Sequence, residues 1–235
     1  NMDEIIRIAD KYRLYVIEDA AQSHFASYCT CKGDWKNAGA LSHIAAFSFF
    51  PGKNLGAFGD AGAVVTNDSI LAKKVRMYAN HGRVSKYDHK FEGYNSRMDT
   101  IQAAILNVKL KYIDDWTARR REVAATYLDL LRDVSEIDLP VFENNQNPSW
   151  HLFVVRAKNR TKLVDYLKDN GISTGIHYPK ALPFLKAYAY LNSKDKDYPI
   201  AYSYQNLLLS LPIFPEITAG QIKYVCKKIE DFYSN

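Results

Sequence analysis

The sequence predicts an α/β protein, and three observations predict it. Short apolar runs end in polar residues, as 14–17 does at Glu18-Asp19. Stretches with helical apolar spacing separate those runs. A glycine-rich turn, 51–60, follows one of the strand candidates.

Residues 2–12 read as a helix. Met2, Ile5, Ile6, Ile8 and Ala9 repeat at helical spacing, with Asn1 or Asp3 as cap. Residues 14–17 read as a buried strand with acids at its carboxyl end. The segment 23–43 reads as mostly irregular, with Gly33, Asp34, Asn37 and Gly39 as turn signals. Residues 44–49 give a second buried strand and 61–66 a third. Residues 69–80 return to helix, and 84–96 form a polar, aromatic loop. From Met98 to Leu131 an apolar stripe recurs at helical spacing along one long helix, with a bend expected near Thr117.

After Pro140 the texture changes. Strands are expected at 151–156, 172–177 and 211–214, and helices at 161–170, 198–210 and 218–233. Strands alternating with helices make a small α/β domain. Two domains are therefore expected. Residues 1–132 form part of a larger domain with the long connecting helix, and 133–235 form the small one.

Composition excludes several classes. The chain has 235 residues, 47% apolar and 24% charged, which suffices for a real core. Its net charge of +5 suits an enzyme handling an anionic substrate and gives little support for nucleic acid. No apolar stretch approaches the roughly 20 residues of a membrane span. The acidic start, Asn1-Met2-Asp3-Glu4, lacks the basic opening of a signal peptide. The cysteines Cys29, Cys31 and Cys226 are few and odd in number, which argues for a reducing compartment. A cytoplasmic protein without nucleic-acid or membrane partners is expected.

Two segments carry candidate chemistry. Asp19 stands at the carboxyl end of a strand, where ligands of open α/β sheets sit. A buried carboxylate there needs a cation or hydrogen-bond donors, and a structural cap on the next turn is an equal alternative. Lys53 follows a buried strand within Ser48-Phe49-Phe50-Pro51-Gly52-Lys53-Asn54. Lysine is normally a surface residue, and a desolvated amine becomes a nucleophile toward an aldehyde. Ser48 could donate to a phosphate. The segment lacks the Walker pattern, and a plain glycine turn with an exposed lysine is its alternative. Taken together, a carboxylate and a lysine at successive strand ends suit pyridoxal phosphate. Its aldehyde takes a lysine, its pyridine nitrogen an anion, and its phosphate hydroxyl and backbone donors. Cys29 and Cys31 have no second ligand pair at metal spacing, so no metal is expected.

With these blocks in place, the chain resembles the DegT/DnrJ/EryC1/StrS sugar aminotransferases. The resemblance rests on Glu18-Asp19-Ala20-Ala21-Gln22-Ser23-His24, on Ser48 to Gly56, and on Gly59-Asp60-Ala61-Gly62-Ala63. It continues through Tyr94-Asn95-Ser96-Arg97-Met98-Asp99, Gln102-Ala103-Ala104 and Gly175-Ile176-His177-Tyr178-Pro179. It implies a type I, aspartate-aminotransferase-like fold of pyridoxal-phosphate enzymes, with an N-terminally incomplete large domain and a small α/β domain. Lys53 would form the Schiff base with the cofactor and then act as acid and base. Asp19 would pair with the pyridinium nitrogen, Gln22 would lie against the ring or its phenolic oxygen, and Ser48 would bind the phosphate. Asn95 would reach a cofactor phosphate in the partner of a homodimer with shared sites. His177 and Tyr178 would touch the substrate sugar. Relatives that carry histidine in place of this lysine dehydrate their substrate, so Lys53 favours transamination. His24, His81 and Arg83 are assigned packing or surface roles, and Arg119-Arg120-Arg121 a solvated or interface face.

The implied reaction moves an amino group, from glutamate, to a dTDP-linked 3-keto-6-deoxyhexose. Such amino sugars supply surface polysaccharides such as lipopolysaccharide, glycoproteins or antibiotics. A UDP-4-keto-sugar is the alternative substrate. A truncated or non-catalytic member acting only in dimerisation or binding is the alternative of another class. Family members carry a phosphate-cupping Gly-Thr/Ser segment and a ring-stacking residue upstream, and only 18 residues precede Asp19. Weak cofactor binding by this chain alone, and exposed sheet edges, are therefore expected.

Overall fold

The computed structural model describes residues 1–234. In chain order it contains α1 (Met2–Tyr12), β1 (Ile17–Asp19), β2 (Ser27–Cys29), β3 (Trp35–Asn37), β4 (Ile44–Ser48), β5 (Gly62–Val65) and α2 (Ser69–Tyr78). Next come β6 (Arg83–Ser85), β7 (Asp88–His89), α3 (Thr100–Lys109) and α4 (Ile113–Leu130). The remainder is β8 (Ile137–Asp138), β9 (Gln146–Asn147), β10 (Phe153–Ala157), α5 (Arg160–Asp169), α6 (Pro199–Tyr204), β11 (Leu208–Leu211) and α7 (Ala219–Ser234), with short 3₁₀ turns between α5 and α6.

Packing divides the chain into two compact units. The first is Asn1–Ala118 with Glu143–His151, and the second is Arg119–Phe142 with Leu152 onward. This division differs from the boundary expected after residue 132. Val123, Tyr127 and Leu131 are buried and fall within the second unit, which places most of α4 there.

In the first unit, β1 and β4 run parallel, with Asp19 opposite Ala46, and β5 pairs antiparallel to β4. Ala20 N–H extends the β1–β4 ladder to Ala46 O at 2.9 Å. Beside this sheet, β2 pairs with β3 and β9, and β6 with β7 forms a hairpin. The core gathers Leu55, Ala57, Leu106 and Ile113, with Phe25, Phe49 and Trp116 packed against it. Helix ends follow local chemistry. Asn1 caps α1 by accepting from Glu4 N–H, and Asp68 Oδ1 caps α2 by accepting from Ile70 and Leu71 N–H at 2.7 and 3.1 Å.

In the second unit, β10 is central between β11 and β8, both antiparallel. Phe153, Val155, Leu163, Leu167, Leu209 and Ile229 are fully buried. Tyr127 stacks on Phe153 at 5.0 Å, and its hydroxyl donates to Pro212 O at 2.9 Å. Thr218 and Gln221 satisfy one another's N–H at the start of α7, at 2.9 and 3.2 Å.

Further expectations are corrected, and the strand expected over 211–214 lies instead at Leu208–Leu211. The first strand starts at Ile17 and is not buried: among the described residues it has one strand neighbour only, and Tyr15 and Ile17 are 71% and 75% exposed. The long helix is interrupted at Leu110–Tyr112 by a 3₁₀ turn, not near Thr117. The helix expected over 198–210 stops at Tyr204, because Leu208–Leu211 pairs with β10 instead. The strand expected at 172–177 reduces to a single bridge between Gly175 and Ser210.

Candidate active site

The parallel register of β1 and β4 brings four of the sequence-derived candidates to one edge. Asp19 ends β1 and Gln22 follows it by three residues. Ser48 ends β4, and Lys53 sits in the turn beyond it, with its N–H donating to Phe50 O at 2.9 Å. Ligands of open α/β sheets collect at this carboxyl edge.

Alternation along β1 separates its two acids. Glu18 serves the fold, since its carboxylate accepts from Gly39 N–H at 2.7 Å and from the Ser42 hydroxyl at 3.2 Å. Asp19 is exposed, and one of its oxygens accepts from Ala21 N–H at 3.0 Å. The cap on the next turn is thus present, and it leaves the second oxygen for a cation. The Ser48 hydroxyl accepts from Phe50 N–H at 3.3 Å. A hydroxyl has one proton, so this arrangement leaves that proton to donate to an anion. Lys53 is partly buried and Gln22 exposed.

Close approach shapes the turn itself. A Cβ on Gly56 would meet Pro51 O at 2.3 Å. From α3, Lys109 Nζ donates to Gly56 O at 2.7 Å, and Gln102 Oε1 accepts from Phe58 N–H at 2.9 Å. Behind the edge lies His24, 2% exposed, with ring centroids 5.4 Å from Phe47 and 5.7 Å from Phe49. Neither ring nitrogen makes a well-formed hydrogen bond, and the Ser48 backbone offers the ring only a weak polar contact. Burial pushes its pKa down, the Ser48 backbone partly opposes this, and the Lys53 ammonium pushes it down further. Burial thus disfavours the charged form of His24.

Asn95 has different neighbours. It bridges to Asn80 at the end of α2, is exposed, and its Oδ1 accepts from Arg97 Nε at 3.0 Å. His177 and Tyr178 belong to the second unit. There His177 Nδ1 lies 2.8 Å from Ser210 Oγ, and His177 and Tyr178 line a cleft of about 580 Å³ with Leu182, Tyr204 and Leu208.

Sequence reasoning missed Glu18 as the structural acid and Gln102 and Lys109 as supports of the turn. It also missed Ser149 and His151, which pack within the first unit. A Ser-x-His set directly after Pro148 was a readable signal, because polar residues bordering an apolar strand need partners. Among the described residues, no group of three or more His, Cys, Asp or Glu is placed to hold a metal ion. No helix among them is long and apolar enough to cross a membrane.

The donor set at this edge is an amine, a carboxylate, a hydroxyl with a spare proton and an exposed amide. It matches an aldehyde, a cationic ring nitrogen and a phosphate on one molecule, so these residues fit pyridoxal phosphate. The structure superposes on that of Streptomyces venezuelae DesV in complex with a ketimine intermediate, with a TM-score of 0.94 and 42% identity. All of this chain and 62% of that one are covered. The fold is thus the type I fold of pyridoxal-phosphate-dependent enzymes. A family model matches residues 1–230, and the chain belongs to the DegT/DnrJ/EryC1/StrS aminotransferase family. Aminotransferases of this family use pyridoxal phosphate.

Two curated relatives show the range of named substrates. The dTDP-3-amino-3,4,6-trideoxy-alpha-D-glucose transaminase of Streptomyces venezuelae is 43% identical over 99% of this chain and 60% of its own length. The UDP-2-acetamido-2-deoxy-3-oxo-D-glucuronate aminotransferase of Pseudomonas aeruginosa is 42% identical over 96% of this chain and 60% of its own length. The chain spans about 60% of the length of these relatives.

Proposed function

We propose that this chain contributes the Lys53 site of a sugar-nucleotide aminotransferase. The observation that carries the reading is the placement of Asp19, Ser48 and Lys53 at the carboxyl edge of two neighbouring parallel strands. When bound, pyridoxal phosphate would supply an electron sink for the carbon that loses or gains a proton. Lys53 would hold the cofactor covalently and then move that proton with its amine. Asp19 would keep the ring nitrogen charged through its open oxygen. The Ser48 proton would go to the phosphate, and Gln22 would lie against the ring or its phenolic oxygen. Asn95 would reach the phosphate of a partner's cofactor in a homodimer, which suits its exposure. His177 and Tyr178 would border the sugar.

The acceptor is a dTDP-linked 3-keto-6-deoxyhexose with glutamate as donor, in a cytoplasmic route to amino sugars of surface polysaccharides. The name of the Streptomyces relative, which carries a 3-amino group on a dTDP sugar, supports this choice. A UDP-linked keto sugar is the second reading, favoured by the name of the Pseudomonas relative.

Borohydride reduction in excess pyridoxal phosphate, followed by peptide mapping, tests the site. Label should concentrate on Lys53 and vanish from that peptide in Lys53→Ala. Label spread over surface lysines with Lys53 unmodified would refute the reading. With the wild-type protein and glutamate, amination of the dTDP sugar ahead of the UDP sugar would support the first substrate, and the reverse order the second.

A further inference from the structure

A buried polar chain links the two segments that carry Gln22 and Lys53. Its residues are distant in sequence. Asn54, 7% exposed, adjoins Lys53, and Ser149 is 3% exposed. Asn54 Nδ2 donates to Ser149 O at 3.0 Å. That carbonyl can only accept, so the orientation of the Asn54 amide is fixed. Its Oδ1 then faces His151 Nδ1 at 3.2 Å, and His151 must carry its proton on Nδ1. Ser149 Oγ in turn donates to Gln22 O at 3.3 Å. All four residues lie in the first unit.

We propose that Asn54 and Ser149 are positioning residues that set the Lys53 turn against the Gln22 backbone. The proposal rests on the reading of Lys53 as the residue that holds the cofactor. Neither side chain touches the reacting atoms. Each acts through a neighbour: Asn54 through the backbone of Lys53, and Ser149 through the backbone of Gln22. The chemistry of the link argues for position over bulk stability. Apolar groups of the same shape could fill this buried space at little cost, because a hydrogen bond inside a protein replaces one to water. A satisfied polar network adds direction instead: each donor admits one acceptor, and the segments lock in one register. The opposite end of the turn is held separately, by Lys109 at Gly56 O and Gln102 at Phe58 N–H. Losing the Asn54 link therefore frees the lysine end while the far end stays tied.

The test uses the full chain with Asn54→Leu, Ser149→Ala and Ser149→Thr. Amide exchange is followed first without pyridoxal phosphate. Asn54→Leu should speed exchange at the Lys53 N–H about tenfold, the loss of roughly one hydrogen bond. With excess pyridoxal phosphate, total bound cofactor and the fraction reduced onto Lys53 are then measured separately. Total binding through Asp19, Gln22 and Ser48 should change little, while the covalent fraction falls several-fold. Ser149→Ala should lower that fraction, and Ser149→Thr, which keeps the hydroxyl, should restore it. A merely structural role would alter the melting temperature and leave the covalent fraction of the folded protein unchanged, and that result overturns the proposal. If Asn54→Leu fails to fold, the Ser149 pair decides: equal covalent fractions in Ala and Thr refute it. Absence of any Lys53 label in the wild type would count against the cofactor reading. The exchange result then judges the positioning role by itself, with unchanged protection refuting it.

Discussion

At the residue scale, His24 places two ring nitrogens without a well-formed hydrogen bond in the interior between Phe47 and Phe49. Its pKa is depressed in the folded protein, first by burial. In the unfolded chain it returns to about 6.5. Between those two values the unfolded state binds a proton that the folded state refuses, so stability rises with pH across the window. Equivalently, stability falls as pH drops below about 6.5 and levels off below the folded value. Urea unfolding at about pH 7.5 and about pH 5.5 should show a smaller loss in His24→Phe than in wild type. The phenyl ring fits the aromatic pocket and removes an unsatisfied group worth about 1 kcal/mol or more. An identical pH dependence in the two proteins would mean that His24 is satisfied or charged when folded. Lys53 and Asp19 stood out in the sequence because each comes shortly after an apolar run. The division of labour between Glu18 and Asp19 did not, because it depends on which face of β1 meets Gly39 and Ser42.

At the scale of elements, local signals were legible wherever the chain decides its own conformation. The helix over 2–12 matches α1 at both ends, because Asn1 caps it and Arg13 closes it in the left-handed conformation. The helix over 218–233 matches α7 to within one residue, and Thr218 and Gln221 close its first turn. Reading failed where a distant strand decides. Leu208 to Leu211 carry a helix-compatible pattern, yet β10 claims them as β11. The hairpin β6–β7 and the strands β2 and β3 lay in segments read as loops, since pairs this short leave no period to detect. The lysine turn offers a sharp test of local geometry. At Gly56 an added Cβ meets backbone at 2.3 Å, whereas at Gly52 it meets only the Phe50 ring at 3.8 Å. Gly56→Ala should lower the stability read from urea unfolding by about 1–3 kcal/mol, and Gly52→Ala by less than about 0.5 kcal/mol. Equal effects would show that the turn relaxes freely around Lys53.

At the scale of the whole molecule, the open edges of the first sheet dominate. β1 and β5 flank β4, and no further strand among the described residues pairs with either. On β1 and just before it, Leu14, Tyr15 and Ile17 are exposed, as are Val64 and Val65 on β5. Unpaired backbone beside apolar side chains is a template for a second chain. The net charge of +5 on 235 residues is too small to prevent this by repulsion. Sedimentation velocity over a dilution series should therefore show concentration-dependent self-association of this chain. Ile17→Lys places a charge on the β1 edge, at a side chain 75% exposed, so the fold should tolerate it. Burying that isoleucine at a contact is worth about 1.5–3 kcal/mol, so the substitution should raise the concentration needed for association roughly tenfold or more. Association unchanged by Ile17→Lys would place the contact elsewhere. A single slow species at every dilution would show that these edges are not sticky enough to pair.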